Sequence, residues 1–290
     1  MINDHIYVCV GLCSGVDLAC QVQVYDVNHN VWSTLPHSPQ YNSQGVAIDS
    51  KLVLIGGFEA ASEGVTNLVS TWTGQGWKQD IPPMPTKRFR PGVTTYHTFV
   101  VVAGGMTEDK QTLLSSIDIL NITTRQWWTP TNLQLPRPMY GMQCVVSSAH
   151  LSVASAGISH DAATGTDTTV KYVWQLPVTA LEEVLIPRDD DTPHQWTKVA
   201  PTPYFDSAIL QDTAHIVAVG GENKSGELKS DIFVYNPDSD VWSKVGQLDV
   251  PRARCAVMTL SRTSFIACGG CTDRWNLRCR HLSSVEVVHV

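Results

Sequence analysis

Apolar positions in this chain come in short runs separated by polar turns, too short for helices of ordinary length. The stretch "SDIFVYNPDSDVWSKV" (230–245) shows the unit. Hydrophobic residues alternate up to Tyr235, a polar turn follows, and alternation resumes around Trp242. The layout recurs in "QVQVYDVNHNVW", which sets Tyr25 against Trp32, and in "SIDILNITTRQW", which sets Leu120 against Trp127. "LVSTWTGQGW" is a shortened copy with Trp72 and Trp77. Upstream lie apolar runs ending in small residues: "KLVLIGG" (51–57), "TFVVVAGG" (98–105), "HIVAVGG" (215–221) and "SFIACGG" (264–270), with weaker copies "HIYVCVGL" (5–12) and "HLSVASAG" (150–157). Short runs rich in Val and Ile and bounded by Gly or turn residues predict strands. Runs such as "VVVAGG" lack alternation, as strands packed on both faces do.

The second residue of the terminal pair falls at 12, 57, 105, 157, 221 and 270, with steps of 45, 48, 52, 64 and 49. A double glycine, an alternating strand ending in Tyr and then a Trp, at a period near 50 residues, resembles the kelch repeat, and the resemblance spans essentially the whole chain. It implies an all-β, six-bladed kelch β-propeller of four-stranded antiparallel blades, with strands a (innermost) to d (outermost), as one domain over 1–290. The blades are expected at 5–36, 41–81, 88–130, 137–199, 204–247 and 252–290. Blade 1 opens at strand b and so lacks strand a. Blade 6 ends at strand c, "SSVEVVHV", and lacks strand d. Two readings follow: a piece of a longer polypeptide, or an atypically closed six-blade ring. The Tyr and Trp pairs are expected to be packing between blades, because aromatic side chains fill large volumes and their polar atoms reach a partner at the edge.

Composition narrows the function classes. The 290 residues are 43% hydrophobic and 16% charged, with 27 acidic and 20 basic side chains and a formal net charge of −7. No basic stripe or patch speaks for nucleic acid. No apolar stretch approaches the roughly 18 residues of a membrane helix, and the N-terminus, with Asp4 and no basic region, does not read as a signal peptide. Eight cysteines are too few for a disulfide scaffold, so a cytoplasmic protein with reduced thiols is expected.

Function is sought where the repeats disagree, in loops at one rim; the resemblance implies that the d–a and b–c loops form that rim. Two residues before the small residues Gly45, Gly92, Gly141, Ala208 and Ala256 are Ser43, Arg90, Met139, Asp206 and Arg254. Tyr41, Tyr204 and Phe205 lie beside them. Arg90 and Arg254 among aromatics suit a peptide carboxylate or acidic motif, since Arg forks match carboxylates. Asp206 and the negative net charge argue against a uniformly basic pocket. The first arginines, Arg88, Arg137 and Arg252, are expected to bond loop carbonyls and hold blades together. The b–c loop of blade 6, "CTDRWNLRCRH" (271–281), adds Arg274, Trp275 and Arg278 as partner-binding candidates. Cys13, Cys20, Cys271 and Cys279 are open to free thiols or two loop disulfides, and Cys268, Cys271, Cys279 and His281 resemble a zinc set. Cys268 itself belongs to an apolar strand and reads as core. The spacing from Trp174 to Trp196 is 22 positions where seven is usual, and the insertion is expected to form a short helix and a solvated acidic loop.

These readings predict a protein-interaction module for a protein or peptide partner, with no cofactor, no catalytic residues and no metal. Nucleic acid, membrane and small-molecule partners are not expected. By analogy with kelch adaptors, the role extends to substrate recognition for a ubiquitin ligase. The alternatives are a sugar-active, mutarotase-like kelch enzyme and an actin or cytoskeletal scaffold.

Overall fold

A computed structural model describes residues 2, 4–9, 21–109, 111–155, 158–161, 166–169, 172–186, 192–199, 201–211, 216–236, 239–261, 264–271 and 284–289. Arg274, Trp275, Arg278, Cys13, Cys20, Cys279 and the acidic run Asp189–Asp191 lie outside the described residues. No helix is long and apolar enough to cross a membrane.

The strands form six antiparallel sheets in chain order. The first holds β1 (His5–Cys9), β2 (Val22–Asp26) and β3 (Val31–Thr34). After β4 (Gln40–Tyr41), the second runs β5 (Gln44–Ile48), β6 (Lys51–Ile55), β8 (Val69–Trp72), β9 (Trp77–Lys78), while β4 pairs with β7 (Phe58–Glu59). The third is β10 (Gly92–Tyr96), β11 (Phe99–Ala103), β12 (Ile117–Asn121) and β13 (Gln126–Trp128). The fourth is β14 (Met142–Val146), β15 (His150–Ser155), β18 (Val173–Pro177) and β19 (Thr197–Lys198); the hairpin β16 (Ile158–Asp161) and β17 (Thr166–Thr169) interrupts it, and a helix α1 (Val178–Val184) follows β18. The fifth is β20 (Ala208–Gln211), β21 (Ile216–Glu222), β22 (Leu228–Asn236) and β23 (Val241–Gln247). The sixth holds β24 (Ala256–Ser261), β25 (Ser264–Cys268) and β26 (Val285–His289). The first and last sheets thus have three strands among the described residues, and they lack the strands that the repeat reading leaves out.

The aromatic pairs sit where the spacing places them. Tyr25 faces Trp32, Trp72 faces Trp77, Leu120 faces Trp127 and Tyr235 faces Trp242 across the outer two strands. Trp127 packs on the cluster of Val53, Ile55, Val100 and Val102, and Trp242 on that of Ile209, Ile216, Ala218 and Tyr235. The indole N–H groups of Trp77 and Trp127 donate to the carbonyls of Pro36 (2.9 Å) and Pro82 (2.8 Å). An apolar body with a satisfied polar edge is the packing expected of Trp.

The chain falls into two compact units, Met1–Met142 with Glu182–His194, and Gln143–Leu181 with Gln195–Val290. The insertion in the fourth repeat departs from the expected solvated loop. Its helix forms, but Leu181, Val184 and Leu185 are buried. Within the first unit, Trp128 donates to the Val184 carbonyl (3.1 Å), Tyr96 to Glu182 (2.6 Å) and the His194 amide to the Asn132 carbonyl (3.0 Å). In this repeat Thr166–Thr169 pair with Ile158–Asp161, and the third strand of the sheet begins at Val173.

Under the loops that enter each sheet lies a buried slot, filled differently from repeat to repeat. Arg88 is fully buried and donates to the carbonyls of Gly104 and Ser116 (2.8 Å each) and to Asp118 (2.7 Å), itself fully buried. Burial pushes the Arg88 guanidinium down and Asp118 opposes that shift. Arg252 makes the matching bonds to the Gly269 and Ser284 carbonyls and to Glu286. In the second sheet Gln40 takes the slot, bonding the Gly56 carbonyl (2.8 Å) and accepting from Ser70 (2.7 Å). In the fifth it is Tyr204, whose ring meets Phe233 edge-on at 5.7 Å. Slot and partner change together: Arg with Asp or Glu, Gln with Ser, Tyr with Phe. Unpaired buried charge is costly, which is why Arg88 and Arg252 each come with a carboxylate while the other two pairs are neutral. Arg88 and Arg252 therefore hold loop carbonyls as expected. Arg137 does not fill a slot; Met139 does.

Candidate interaction surface

One residue of each entering loop adopts a left-handed backbone: Asn42 (φ 50°), Arg90 (φ 48°), Gly141 (φ 69°), Asp206 (φ 52°) and Arg254 (φ 57°). These conformations are sparsely populated for non-glycine residues and concentrate where surroundings fix them. Here adjacent loops do the fixing. The Gly141 amide donates to the Arg90 carbonyl (2.9 Å) and the Arg254 amide to the Asp206 carbonyl (3.0 Å). Two residues earlier, the carbonyls of Arg88, Met139 and Arg252 accept from Gly57, Gly105 and Gly221. Glycine is required at Gly57: its φ is +91°, and an added Cβ would lie 2.3 Å from the Tyr41 carbonyl oxygen.

This register corrects two site expectations. Met139 is the counterpart of Arg88, not of Arg90, and it is fully buried, so it presents no side chain to a partner. The rim position in that loop is Gly141. In the second sheet Gln44 pairs with Ile55, the residue before its glycine pair, as Gly92 pairs with Ala103, so the counterpart of Arg90 is Asn42, one residue before Ser43. A small residue marked the wrong register because backbone crowding occurs at more than one place in the loop.

The residue before each left-handed position is aromatic in four of five loops: Tyr41, Phe89, Tyr140 and Phe205, with Ala253 the exception. The first three form a row in the first unit. Tyr41 stacks on Phe58 with centroids 5.3 Å apart, Phe58 lies 4.6 Å from Phe89, and Phe89 lies 6.5 Å from Tyr140. The Arg90 guanidinium carbon sits 5.8 Å from the centroid of the Tyr140 ring, within cation–π range. Phe89 is buried, whereas Tyr41, Phe58, Arg90 and Tyr140 are half-buried. Sequence reading found Tyr41 and Arg90; Phe58, Phe89 and Tyr140 were missed. Their signal was available as an aromatic residue just before the left-handed one.

In the second unit the same loops build a charged surface. Arg254 donates from Nε (2.9 Å) and Nη2 (2.7 Å) to the same oxygen of Asp206. Tyr204 donates to Asp231 (2.5 Å), whose other oxygen holds Lys244 (2.5 Å). The hydrogen bonds from Lys244 and Tyr204 hold the Asp231 carboxyl below its ordinary value, and the bond to Asp231 pushes the Tyr204 phenol up to about 12. Beside them a cavity of about 350 Å³ is lined by Pro203, Tyr204, Phe205, Glu222, Asn223 and Lys224. Cys255 and Cys268 are buried free thiols, so the core reading of Cys268 holds, and Cys271 is half-buried. Among the described residues no three His, Cys, Asp or Glu side chains come together as a metal-ligand set.

Comparison with known proteins places this geometry. The family model of the Kelch motif matches residues 215–248. Kelch-like protein 23 of Homo sapiens is 29% identical over 150 residues, covering 50% of this chain and 26% of that protein. Kelch repeat and BTB domain-containing protein 1 of camelpox virus is 21% identical over 257 residues, 87% of this chain and 42% of that protein. The chain thus spans less than half the length of these relatives. The solved structure of YjhT superposes with a TM-score of 0.75 at 15% identity, covering 100% of this chain and 93% of that one.

Proposed function

Since this chain is a kelch-repeat β-propeller protein, we propose that it is a protein-interaction module that binds a partner peptide or protein on the loops entering its blades. One observation carries the reading: the row Tyr41, Phe58, Phe89, Tyr140, with Arg90 against its last ring. Rigid aromatics and arginine supply much of the energy of protein interfaces at small entropic cost. Arg90 suits a carboxylate of the partner. Treating 1–290 as one propeller domain, its place in a longer polypeptide would be that of the partner-reading part, and the adaptor role in a ubiquitin ligase is an analogy with kelch adaptors at the level of the fold.

The test is selection of peptides on the immobilised chain, followed by affinity measurement against variants. Arg90→Ala and Tyr140→Ala should each weaken the selected peptides at least ~10-fold, about 1.4 kcal/mol or more. Peptides whose binding depends on neither residue overturn the reading.

A further inference from the structure

The cavity of the second unit has a chemistry that the aromatic row of the first lacks. Its wall is built by an antiparallel bridge. Phe205 and Glu222 exchange both amide-to-carbonyl bonds, at 2.8 Å from the Phe205 amide and 2.7 Å from that of Glu222. Residues paired in this way carry their side chains on one face, with Cβ atoms about 5 Å apart. The same bridge joins Tyr41 to Phe58, Phe89 to Met106 and Ala253 to Cys271. Of these pairs only Phe205 with Glu222 contains a charge. Where Tyr41 stacks on Phe58 at 5.3 Å in the first unit, the second unit sets a ring beside a carboxylate.

Around this pair the cavity, about 350 Å³, is lined by Pro203, Tyr204, Asn223, Lys224 and Ser225. That is the lower end of the range of ligand sites and suits one long side chain. The polar lining groups sort by what already holds them. Asn223 closes its own turn: its Oδ1 accepts the Ser225 hydroxyl (2.8 Å) and the Glu227 amide (2.9 Å), and its Nδ2 donates to Glu227 (2.9 Å). The Tyr204 hydroxyl is bound to Asp231 (2.5 Å), so the ring is what it can offer a ligand. The neighbouring charges hold one another: Asp206 with Arg254, Asp231 with Lys244 and Glu227 with Lys229. The formal charges of the lining are Glu222, which is buried, and Lys224, which is exposed.

A carboxylate has about four acceptor places, so Glu222 can take a ligand's donors beside the contacts it already makes. Out of water its attraction for a cation is strengthened, and an aromatic face attracts the same cation. An apolar side chain in the cavity would cover Glu222 without a donor, which is costly. A guanidinium answers both walls, since it is planar, forks onto carboxylates and stacks on rings.

We propose that this cavity takes an arginine side chain of a partner polypeptide, its guanidinium on the Glu222 carboxylate and stacked on Phe205. The inference does not rest on the row in the first unit, whose own test lies in Arg90 and Tyr140. Lys224 opposes such a ligand by like charge, so its removal reports the sign of what binds.

The probe is the capped pentapeptide acetyl-Gly-Ser-Arg-Ser-Gly-amide, titrated with the full 290-residue chain by saturation-transfer NMR. The arginine methylenes should receive saturation. The same peptide with citrulline, which keeps the shape of arginine without its charge, should bind at least ~10-fold more weakly. Glu222→Gln should weaken the arginine peptide by the same factor and leave the citrulline peptide within about 2-fold. Phe205→Leu should weaken it about 3-fold, and Lys224→Gln should strengthen it about 2-fold. If Glu222→Gln misfolds by circular dichroism, the citrulline comparison and Lys224→Gln decide. No saturation of the arginine, equal binding of citrulline, or weaker binding in Lys224→Gln overturns the proposal. Tighter binding of a glutamate-centred peptide than of the arginine one would make the cavity an acid site and overturn it too.

Discussion

The loops of the two units use one backbone device and end in opposite chemistry. Asn42, Arg90 and Gly141 in the first unit, and Asp206 and Arg254 in the second, share a left-handed conformation. Neighbouring loops are tied by the same amide-to-carbonyl bond in both. In the second unit the neighbour of Arg254 is Asp206, and the guanidinium is bound in an ion pair. In the first, the counterparts beside Arg90 are Asn42 and Gly141, which carry no charge, and Arg90 lies against Tyr140. The preceding loop thus differs in charge while the backbone device stays the same: Asp206 offers Arg254 a carboxylate and Asn42 offers Arg90 none.

The largest effect is expected from removing what both surfaces rest on. Arg88→Met leaves Asp118 charged and buried, which should cost about 3–5 kcal/mol in guanidinium denaturation. The double variant Arg88→Gln, Asp118→Ser copies the Gln40 and Ser70 pair of the second sheet. It should recover at least half of that loss. No recovery would mean that the slots are not interchangeable, and the correspondence between the loops would break with them.

Next comes an exchange of the rim charge. Asn42→Asp should give Arg90 the neighbour that Arg254 has, and should weaken acidic peptides that depend on Arg90 by about 10-fold. Asp206→Asn should do the reverse and raise the affinity of Arg254 for such peptides. Both positions are half-buried, so the thermal midpoint of each variant is measured beside its peptide affinity. An unchanged peptide affinity in Asn42→Asp would show that the preceding residue does not set the fate of the arginine.

The Arg254–Asp206 pair should contribute little to folding. The Arg254 side chain is 44% exposed, and partly exposed pairs typically couple by less than about 1 kcal/mol. A double-mutant cycle of Arg254→Ala and Asp206→Asn should return a coupling in that range. A coupling of several kcal/mol would make the ion pair a structural element instead of a surface that differs by sequence.

How far the sequence carried this comparison follows from what each signal measures. The Tyr and Trp spacing reports strand pairing, and pairing has period two and a fixed turn, so Tyr235↔Trp242 and Tyr25↔Trp32 were readable to the residue. Of the three first arginines, Arg88 and Arg252 were read correctly, whereas Arg137 was not, because in that loop Met139 takes the slot. Met139 and Ser43 were misplaced because register in the loop is set by hydrogen bonds to Gly105 and by the Gln44↔Ile55 pairing, which a small residue does not report. The docking of the α1 segment on Trp128 and Tyr96 was not readable at all, since it joins residues 56 and 86 positions apart without a local pattern.

The smallest effects are those of pH, and they concern the second unit. Asp231 titrates below its ordinary value, so its bonds contribute fully above that value and are lost as pH falls through the depressed one. Tyr204 titrates near 12 against an ordinary 10.0, so its contribution is complete below pH 10 and is lost as pH rises from 10 toward 12. The Tyr204–Asp231 bond therefore spans the neutral range without titrating, and stability from this cluster should be flat between those limits. Tyr204→Phe should lower the neutral thermal midpoint by what the bond contributes and remove the part of the alkaline slope that this phenol supplies, so that the gap to the parent narrows as pH rises from 9 to 12. A neutral midpoint equal to the parent's would show that the bond to Asp231 contributes nothing and that packing of the ring on Phe233 alone holds this slot.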